Sequence, residues 1–487
     1  MKYLSLFSGI EAATVAWESL GWEAVAFAEF EDFPKAVLAH HYPNVPDLGD
    51  VTKITEEQIK ALGQFDVLVG GSPCFVAGTM VLTMDGYKPI EDVQVGDLVY
   101  THLHNWKPVV RIGNKVADTI TVKSQGFMDT TTTSNHPFYC RKRKWVYGHR
   151  TVSKTFLQAD WKEAGNLDYG DFLGLPIIQD TENPENLDEK TCWLLGRYIA
   201  DGHYRNESRG DSETHRQYQL IISVGKDKVE EFESCMQGVS FSLYPHSRSV
   251  YRAVFSSKYL VELVERLGIG KGALNKQIPI ALLRLPINLL KVVLDGYMSG
   301  DGCTIKNKHQ MTTVSKKLAL SFSLAVAKVY RLNTNIGLYK VDSTCVICGR
   351  TVNQHDVYTC RFVDDTATKR TAHIDSDNQI VWSMYRKQKN TGKRVVYNIE
   401  VADDHSYTAN NYIVHNCQDL SVAGKRAAPD SRRYKALGNS MAVPVMRWIG
   451  KRIQESQPVV YNDDAIRNAM IKPLSQEERE IGQQSLF

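Results

Sequence analysis

Near the end of the chain, Val414-His415-Asn416-Cys417 places three reactive side chains in a row behind an apolar run. An asparagine can cyclise through its own side-chain amide and cut the backbone after it. An imidazole before it can polarise that peptide bond, and a thiol after it can receive an acyl chain. A partner stands far upstream, where Gly70-Gly71-Ser72-Pro73 runs into Cys74. The Cys74 thiol can attack its own upstream carbonyl and turn the Pro73–Cys74 peptide bond into a thioester. Thr133-Ser134-Asn135-His136-Pro137 and, beside Asp403 and Asp404, His405 add a hydroxyl and two imidazoles between these ends. A lone His-Asn-Cys is mostly loop, and a lone Thr-x-x-His is mostly a buried structural pair. Together with Cys74, they describe transfer of the upstream chain to Cys417, cyclisation of Asn416 and a closing S-to-N shift. Residues 74–416 would leave, and Pro73 would be joined to Cys417.

Short strands must hold these groups. From Cys74 onward, turns at Asp85-Gly86, Gly96-Asp97 and Gly170-Asp171 punctuate strand-like runs, the pattern of a compact all-β domain. Its last strands come from residues 395–401 and 412–414. Between them, residues 186–385 differ in composition. Leu194-Leu195-Gly196-Arg197-Tyr198-Ile199-Ala200-Asp201-Gly202 and Leu294-Asp295-Gly296-Tyr297-Met298-Ser299-Gly300-Asp301-Gly302 are apolar helices with small residues on one face, each ending in Asp-Gly. Packed backbone to backbone, they would set Asp201 and Asp301 side by side, a two-carboxylate Mg²⁺ site for phosphodiester hydrolysis.

Residues 1–73 alternate strand and helix: a strand at residues 3–7, helix at 12–20, strand at 24–27, helix at 33–40 and strand at 65–69. That alternation implies a parallel sheet binding a ligand at its carboxyl edge. Gly9 sits at the first strand–helix turn, and Glu29 ends the second strand in a position suited to a ribose.

Several families share these motifs. Joining Pro73 to Cys417 writes Gly-Gly-Ser-Pro-Cys-Gln-Asp-Leu-Ser, which resembles the catalytic loop of DNA cytosine-5 methyltransferases. Leu6-Phe7-Ser8-Gly9-Ile10 resembles their first cofactor motif, Glu29 their ribose-binding acid and Gly49-Asp50-Val51 their adenine-contacting acid. The run from Arg433 through Gly438-Asn439-Ser440 to Val445 resembles their last motif. Glu11 stands where that family usually has a second glycine. The resemblance implies S-adenosylmethionine held by Phe7, Gly9, Glu29, Asp50 and Asn439, with Cys417 as nucleophile toward a flipped cytosine. The motif that protonates the base, an Arg-containing motif and the target-recognition domain are missing between Leu420 and Arg433, so the joined flanks are not expected to methylate DNA unaided.

The insertion resembles an intein splicing domain over its length, which implies that Thr133 and His136 polarise or protonate the Pro73–Cys74 bond and that His405 and the Asp403/Asp404 pair assist proton transfers at Cys417. Its middle resembles the LAGLIDADG homing endonucleases. In them the lysine of Lys276-Gln277-Ile278-Pro279 helps stabilise charge near the scissile phosphate, and Lys316 and Lys317 open the helix that follows the second motif. The implied partner is double-stranded DNA. The fold class expected is therefore multidomain: Rossmann-like α/β methyltransferase flanks (residues 1–73 and 417–487), an all-β intein (Hint) splicing domain (74–185 and 386–416) and an α+β LAGLIDADG endonuclease domain (186–385).

Composition fits. At 487 residues with 43% hydrophobic and 23% charged content, the chain has room for two to four globular domains. A net charge of +3 permits nucleic-acid binding without demanding it. No apolar stretch is long enough to span a membrane, and the start lacks the pattern of a secretory signal. Nine cysteines without that signal read as reduced thiols of a cytoplasmic, bacterial or phage-encoded protein, expected to be a monomer. Cys345, Cys348, His355 and Cys360 have the ligand types of a zinc site but lack paired spacing, which favours a plain hairpin. Two other readings are a methyltransferase with a permanent recognition insertion and a decayed DNA-binding fragment. Neither needs Cys74 together with His415-Asn416-Cys417.

Overall fold

The computed structural model describes residues 1–6, 8, 11–29, 32–49, 54–70, 74–147, 152–179, 181–208, 216–347, 350–364, 372–375 and 379–416. The expected site residues Phe7, Gly9, Asp50, Cys417 and Asn439 lie outside them, as does Cys348.

At the N-terminus, three strands run parallel in the order Glu23–Ala28, Lys2–Leu6, Val67–Gly70. Tyr3, Leu4 and Ser5 of the central strand are buried, as a covered parallel sheet requires. The helix Ala12–Trp17 tightens into a 3-10 turn, Glu18–Leu20, and Trp17 meets Tyr3 edge-on with ring centroids 5.0 Å apart. A helix at Glu56–Ala61 was not anticipated. Its start is a capping box in which the Gln58 amide donates to the Thr55 hydroxyl and the Thr55 amide donates to the Gln58 side chain. Glu11, in the place of the family's glycine, takes a left-handed conformation at φ 65° and caps the first helix by accepting from the Thr14 amide at 3.0 Å. Its side chain is fully buried, and burial pushes the carboxyl up to about 7.

Residues 75–176 and 372–415 form one 14-stranded sheet. The expectation of uniformly short strands is corrected here. Two strands are long, Trp106–Ser124 and Ile380–Val401, and they pair antiparallel from Val109↔Val401 to Ser124↔Tyr385 with three bulges. A bulge re-aims a strand without ending it. The boundary expected at 385/386 falls inside the second long strand, whose return to the sheet starts at the pair Pro176↔Ile380. The two ends of the insertion interleave: Phe75 pairs Thr132, Val76 pairs Val396, Val81 pairs Ala409 and Phe138 pairs Val414. Phe75, Phe138, Tyr407 and Tyr412 fill the interior.

The middle segment is a structural repeat. Helix Glu189–Asp201 leads into an antiparallel sheet ordered Gly202–Ser208, Arg216–Gly225, Val250–Phe255, Ser242–Pro245. Helix Ile287–Asp301 leads into a second, ordered Gly302–Ile305, Lys308–Thr313, Val357–Val363, Asn335–Tyr339. The two helices cross at Gly196 and Gly296, where a Cβ would strike the Val293 and Trp193 carbonyl oxygens respectively. A third helix, Lys316–Tyr330, is capped by Ser315 and almost wholly buried. It ties the repeat to the large sheet: Lys316 Nζ donates to the Gly78 carbonyl at 2.6 Å, and the Leu320 carbonyl accepts from Asn411 Nδ2 at 3.0 Å. Cys345 lies on a hairpin, Thr344–Ile347 with Arg350–Asn353, whereas Cys360 is buried against the third helix with its thiol 3.8 Å from the Ala319 carbonyl. Cys360 therefore serves the core, as the hairpin reading had it.

Gly296→Ala should lower stability by about 1–3 kcal/mol, since a methyl has no room against backbone; urea unfolding measures this. Glu11 holds a proton in the folded flank that the unfolded chain releases above its ordinary value of 4.5. Stability of this flank should therefore fall as pH rises toward 7, by on the order of 3 kcal/mol, and Glu11→Gln should flatten the dependence. Protection of the Lys2–Leu6 amides at pH 5 and pH 8 gives the readout.

Candidate functional site

The upstream junction is held by backbone. Cys74 is buried at the start of the strand Phe75–Val76. Its amide donates to Thr133 Oγ1 at 2.9 Å, and its carbonyl accepts from the Thr133 amide at 2.9 Å and Thr132 Oγ1 at 2.7 Å. Thr133 thus touches the nitrogen of the Pro73–Cys74 bond. Thr132, which went unremarked in the sequence, holds the Cys74 carbonyl, on the far side of Cys74 from that bond; the strand Thr130–Thr132 gives a run of threonines but no motif to single it out. His136 follows a tight turn, its amide donating to the Thr133 carbonyl at 3.2 Å. The ring is fully buried, 4.1 Å from the Phe75 ring, and both nitrogens lack a hydrogen-bond partner among the described residues. Burial, then the neighbouring His415, hold its pKa down at about 3, so it is a neutral imidazole aimed into an apolar pocket.

The downstream junction closes the last hairpin, Ser406–Ala409 with Tyr412–His415. Asn416 is fully buried; its amide donates to the His405 carbonyl at 2.7 Å, and its side-chain Nδ2 donates to the Val401 carbonyl at 2.8 Å. His415 Nδ1 lies 3.2 Å from the Asn416 carbonyl oxygen. A carbonyl only accepts, so Nδ1 carries the proton. Burial lowers His415 to about 4, against the opposing effect of that hydrogen bond. Trp161 stands edge-on to His415 at 4.7 Å, and His102, bound to Ser406 Oγ at 2.6 Å, packs on Trp161 at 5.1 Å. Neither residue is near the junction in sequence. His405 lies 6.4 Å from His415, ring to ring, with Nδ1 buried and unpartnered among the described residues. The expected help from Asp403 and Asp404 is corrected: Asp403 pairs with Lys107 at 2.8 Å, and Asp404 accepts from Thr101 Oγ1 and Asn105 Nδ2. Both acids are engaged by the 101–107 turn.

The two junctions share one interior. Tyr407, opposite Val414, has its ring 6.3 Å from both Phe75 and His136.

A second centre forms where the paired helices end. Asp201 accepts from Arg197 Nη1 at 3.0 Å, one turn back, and the Arg197 guanidinium reaches the Ser223 carbonyl with its other nitrogen. Asp301 is pushed up to about 6, by desolvation first and by Asp201 next, against Lys276, Arg197 and Lys228. Lys276 is buried. Its ammonium donates to the Tyr198 carbonyl at 2.6 Å and the Gly202 carbonyl at 2.7 Å, over the Tyr198 ring. It caps the first helix, and desolvation lowers it to about 8. Lys228 plays the matching part on the second helix, donating to the Ser299 carbonyl at 2.6 Å. Arg197 was legible as an i−4 partner of Asp201; Lys228 belongs to no motif. A cleft of about 250 Å³ opens between Ala200, Lys276, Asp301 and Thr312. Lys316, by contrast, sits at the junction with the large sheet, where burial lowers it to about 8.

In the N-terminal flank, Glu29 follows the second strand and is 6% exposed, its amide donating to Asp47 Oδ1 at 3.0 Å. Ser8 lies beside it, donating to the Ser5 carbonyl.

Comparison with known proteins places two families on the chain. Residues 1–76 match the C-5 cytosine-specific DNA methylase family, and residues 73–132 match the Hint domain. The chain is 25% identical over 534 aligned residues to the DNA N-6-adenine-methyltransferase of Escherichia phage P1, covering 98% of this chain and 64% of that protein. It is 26% identical over 371 residues to an iron-sulfur cluster assembly SufBD family protein of Mycobacterium tuberculosis, covering 71% and 43%. It spans less than two thirds of the length of these curated relatives. Among solved structures, a mesophilic variant of the homing endonuclease I-DmoI aligns at a TM-score of 0.26 and 16% identity, covering 36% of this chain and 87% of that one. The methylase match and the Hint match meet at residues 73–76, so the chain carries a C-5 cytosine-specific DNA methylase fragment followed directly by a Hint domain, an arrangement consistent with an intein-containing methyltransferase.

Proposed function

We propose that residues 74–416 splice themselves out and ligate Pro73 to Cys417. The observation that carries this reading is the His415 Nδ1–H on the Asn416 carbonyl at 3.2 Å, with the Asn416 amide group fixed on Val401. Cys74 Sγ adds to the Pro73 carbonyl carbon, the C–N bond breaks, and the freed Cys74 amine takes a proton. Thr133 holds that nitrogen, and the neutral His136 is assigned to relay to it the proton that the Cys74 thiol gives up. Cys417 displaces Cys74 from the thioester. Asn416 Nδ2 then attacks its own carbonyl, whose developing negative charge His415 stabilises, and the Asn416–Cys417 bond breaks. The Cys417 amine recaptures the acyl group from sulfur. His405, with its ring 6.4 Å from that of His415, is assigned the proton transfers at Cys417. Relatives of unrelated name that cover most of this chain accord with an element carried by different host proteins.

The inserted repeat is proposed to cut double-stranded DNA. Asp201 and Asp301 fit a divalent cation, because their mutual repulsion and desolvation raise Asp301 and a cation would relieve both. Mg²⁺ held there supplies Lewis-acid stabilisation and an activated water. Arg197 orients Asp201, while Lys276 and Lys228 hold the helix ends and add positive charge. Duplex DNA would lie across the two four-stranded sheets. For the ligated flanks, Glu29 sits at the carboxyl edge of a parallel sheet, where S-adenosylmethionine would place its ribose and supply a methyl group. The missing motifs leave that product inactive by itself, and Cys417 serves it only as the completed loop's thiol.

Expression followed by intact-mass analysis should show the full chain giving way to residues 74–416 and a joined product of 1–73 with 417–487. Cys74→Ala with Asn416→Ala should abolish both, and a wild-type chain that stays whole under reducing conditions at neutral pH sinks the proposal. His415→Ala should slow cleavage after Asn416 on the order of 10²-fold, while thiol-induced cleavage before Cys74 continues. Asp201→Asn, Asp301→Asn or a chelator should each stop cleavage of DNA spanning the uninterrupted junction codons; a chelator-insensitive activity would rule out the metal site.

A further inference from the structure

The two long strands carry a charge that neither proposed chemistry uses. Trp106–Ser124 and Ile380–Val401 hold nine lysines and arginines against two acids, Asp118 and Glu400. The whole chain is only +3, so the rest of it is net acidic. Residues 386–390 and 392–395 are exposed. Side chains alternate along a strand, and the register sets Arg111↔Glu400, Lys115↔Val396, Ala117↔Arg394, Thr121↔Lys389 and Lys123↔Lys387 on one side of the ribbon. Six cations therefore share a face running about 40 Å, close to one turn of duplex DNA. Arg111 meets Glu400 and Lys123 meets Asp129. Lys115, Lys387, Lys389 and Arg394 show no acid at ion-pair distance among the described residues. Lys387 is moreover directly opposite Lys123, and of this like-charge pair only Lys123 has an acid beside it, Asp129.

The ribbon's end adjoins the repeat. The Ile336 amide donates to the Gly126 carbonyl at 2.8 Å, and Asn333 Nδ2 donates to the Gln125 carbonyl at 2.9 Å. Gln125 follows the first long strand, and Ile336 lies on Asn335–Tyr339, an edge strand of the second four-stranded sheet. We infer that this ribbon of the splicing domain binds the phosphate backbone of duplex DNA, extending past one edge the surface on which the nuclease holds its substrate. The course of the DNA rests on the nuclease reading; the phosphate binding does not. A row of cations on one face, most of them lysines acting as point charges, fits backbone contact, which anchors DNA without reading it.

The test uses the full chain held unspliced by Cys74→Ala and Asn416→Ala, titrated with a long mixed-sequence DNA duplex at several salt concentrations. Replacing Lys115, Lys387, Lys389 and Arg394 with Gln should reduce the slope of log affinity against log salt by about three to four, at about 0.9 per phosphate contact. Replacing the three lysines with Arg should keep the parent slope, which separates lost charge from lost fold. The titration reads binding without any DNA cleavage, so failure of the nuclease reading leaves this result standing. An unchanged slope in the Gln variant overturns the assignment, as does a parent chain that binds phosphatidylserine vesicles more tightly than the duplex at the same salt.

Discussion

A single strand pairing lets two machines share one chain. Pro176 is registered against Ile380, and the Ile177 amide donates to the Gln379 carbonyl at 3.1 Å. The segment carrying the helical repeat thus leaves the large sheet and returns to it at adjacent points, so the sheet is continuous whether its neighbours in space are near or far in sequence. Loop-closure cost grows only slowly with length, and the pairing of two long strands repays it with a register that three bulges adjust but do not break. Without that return, Val401 and the last hairpin would have no fixed place beside Cys74.

Both junctions are buried, and their chemistry follows from that. Burial keeps the His136 imidazole neutral, with both ring nitrogens unpartnered among the described residues. At Asn416 one carbonyl holds the side-chain amide, another holds the backbone amide, and His415 Nδ1 faces the Asn416 carbonyl. A low local dielectric strengthens such contacts and penalises any left unmade. The centre is in this sense prepared before any bond is broken.

The repeat obeys a different rule. Its helices approach until only glycine fits between them, which brings Asp201 close enough to Asp301 to raise it, and a lysine closes the end of each helix. The third helix then links the centres: Ser315 Oγ donates to the Lys276 carbonyl at 2.6 Å, while Lys316 and Leu320 reach the turns beside Cys74 and before Tyr412. Substitutions along this helix act on both neighbours at once.

The sequence determined which residues are chemical and where the chain changes character. Cys74, His415, Asn416 and the two Asp-Gly helix ends are local signatures: bond chemistry needs particular atoms at particular chain positions, and small residues plus a terminal acid announce a close helix pair. Strand–helix alternation, the Gly-Asp turns and the hairpin around Cys345 were legible for the same reason, since period and turn chemistry are local. Thr132, Trp161, His102 and Lys228 were not, because each reaches its site across strand pairings or helix contacts between chain-distant residues. The same holds for the fate of Asp403 and Asp404, drawn off by Lys107 and the Thr101 turn, and for the long ribbon. Its charges look like scattered surface lysines until the register of two strands, hundreds of residues apart, stacks them on one face. Only tertiary structure sets that register, because it is fixed by what each strand buries and not by anything within the strand itself.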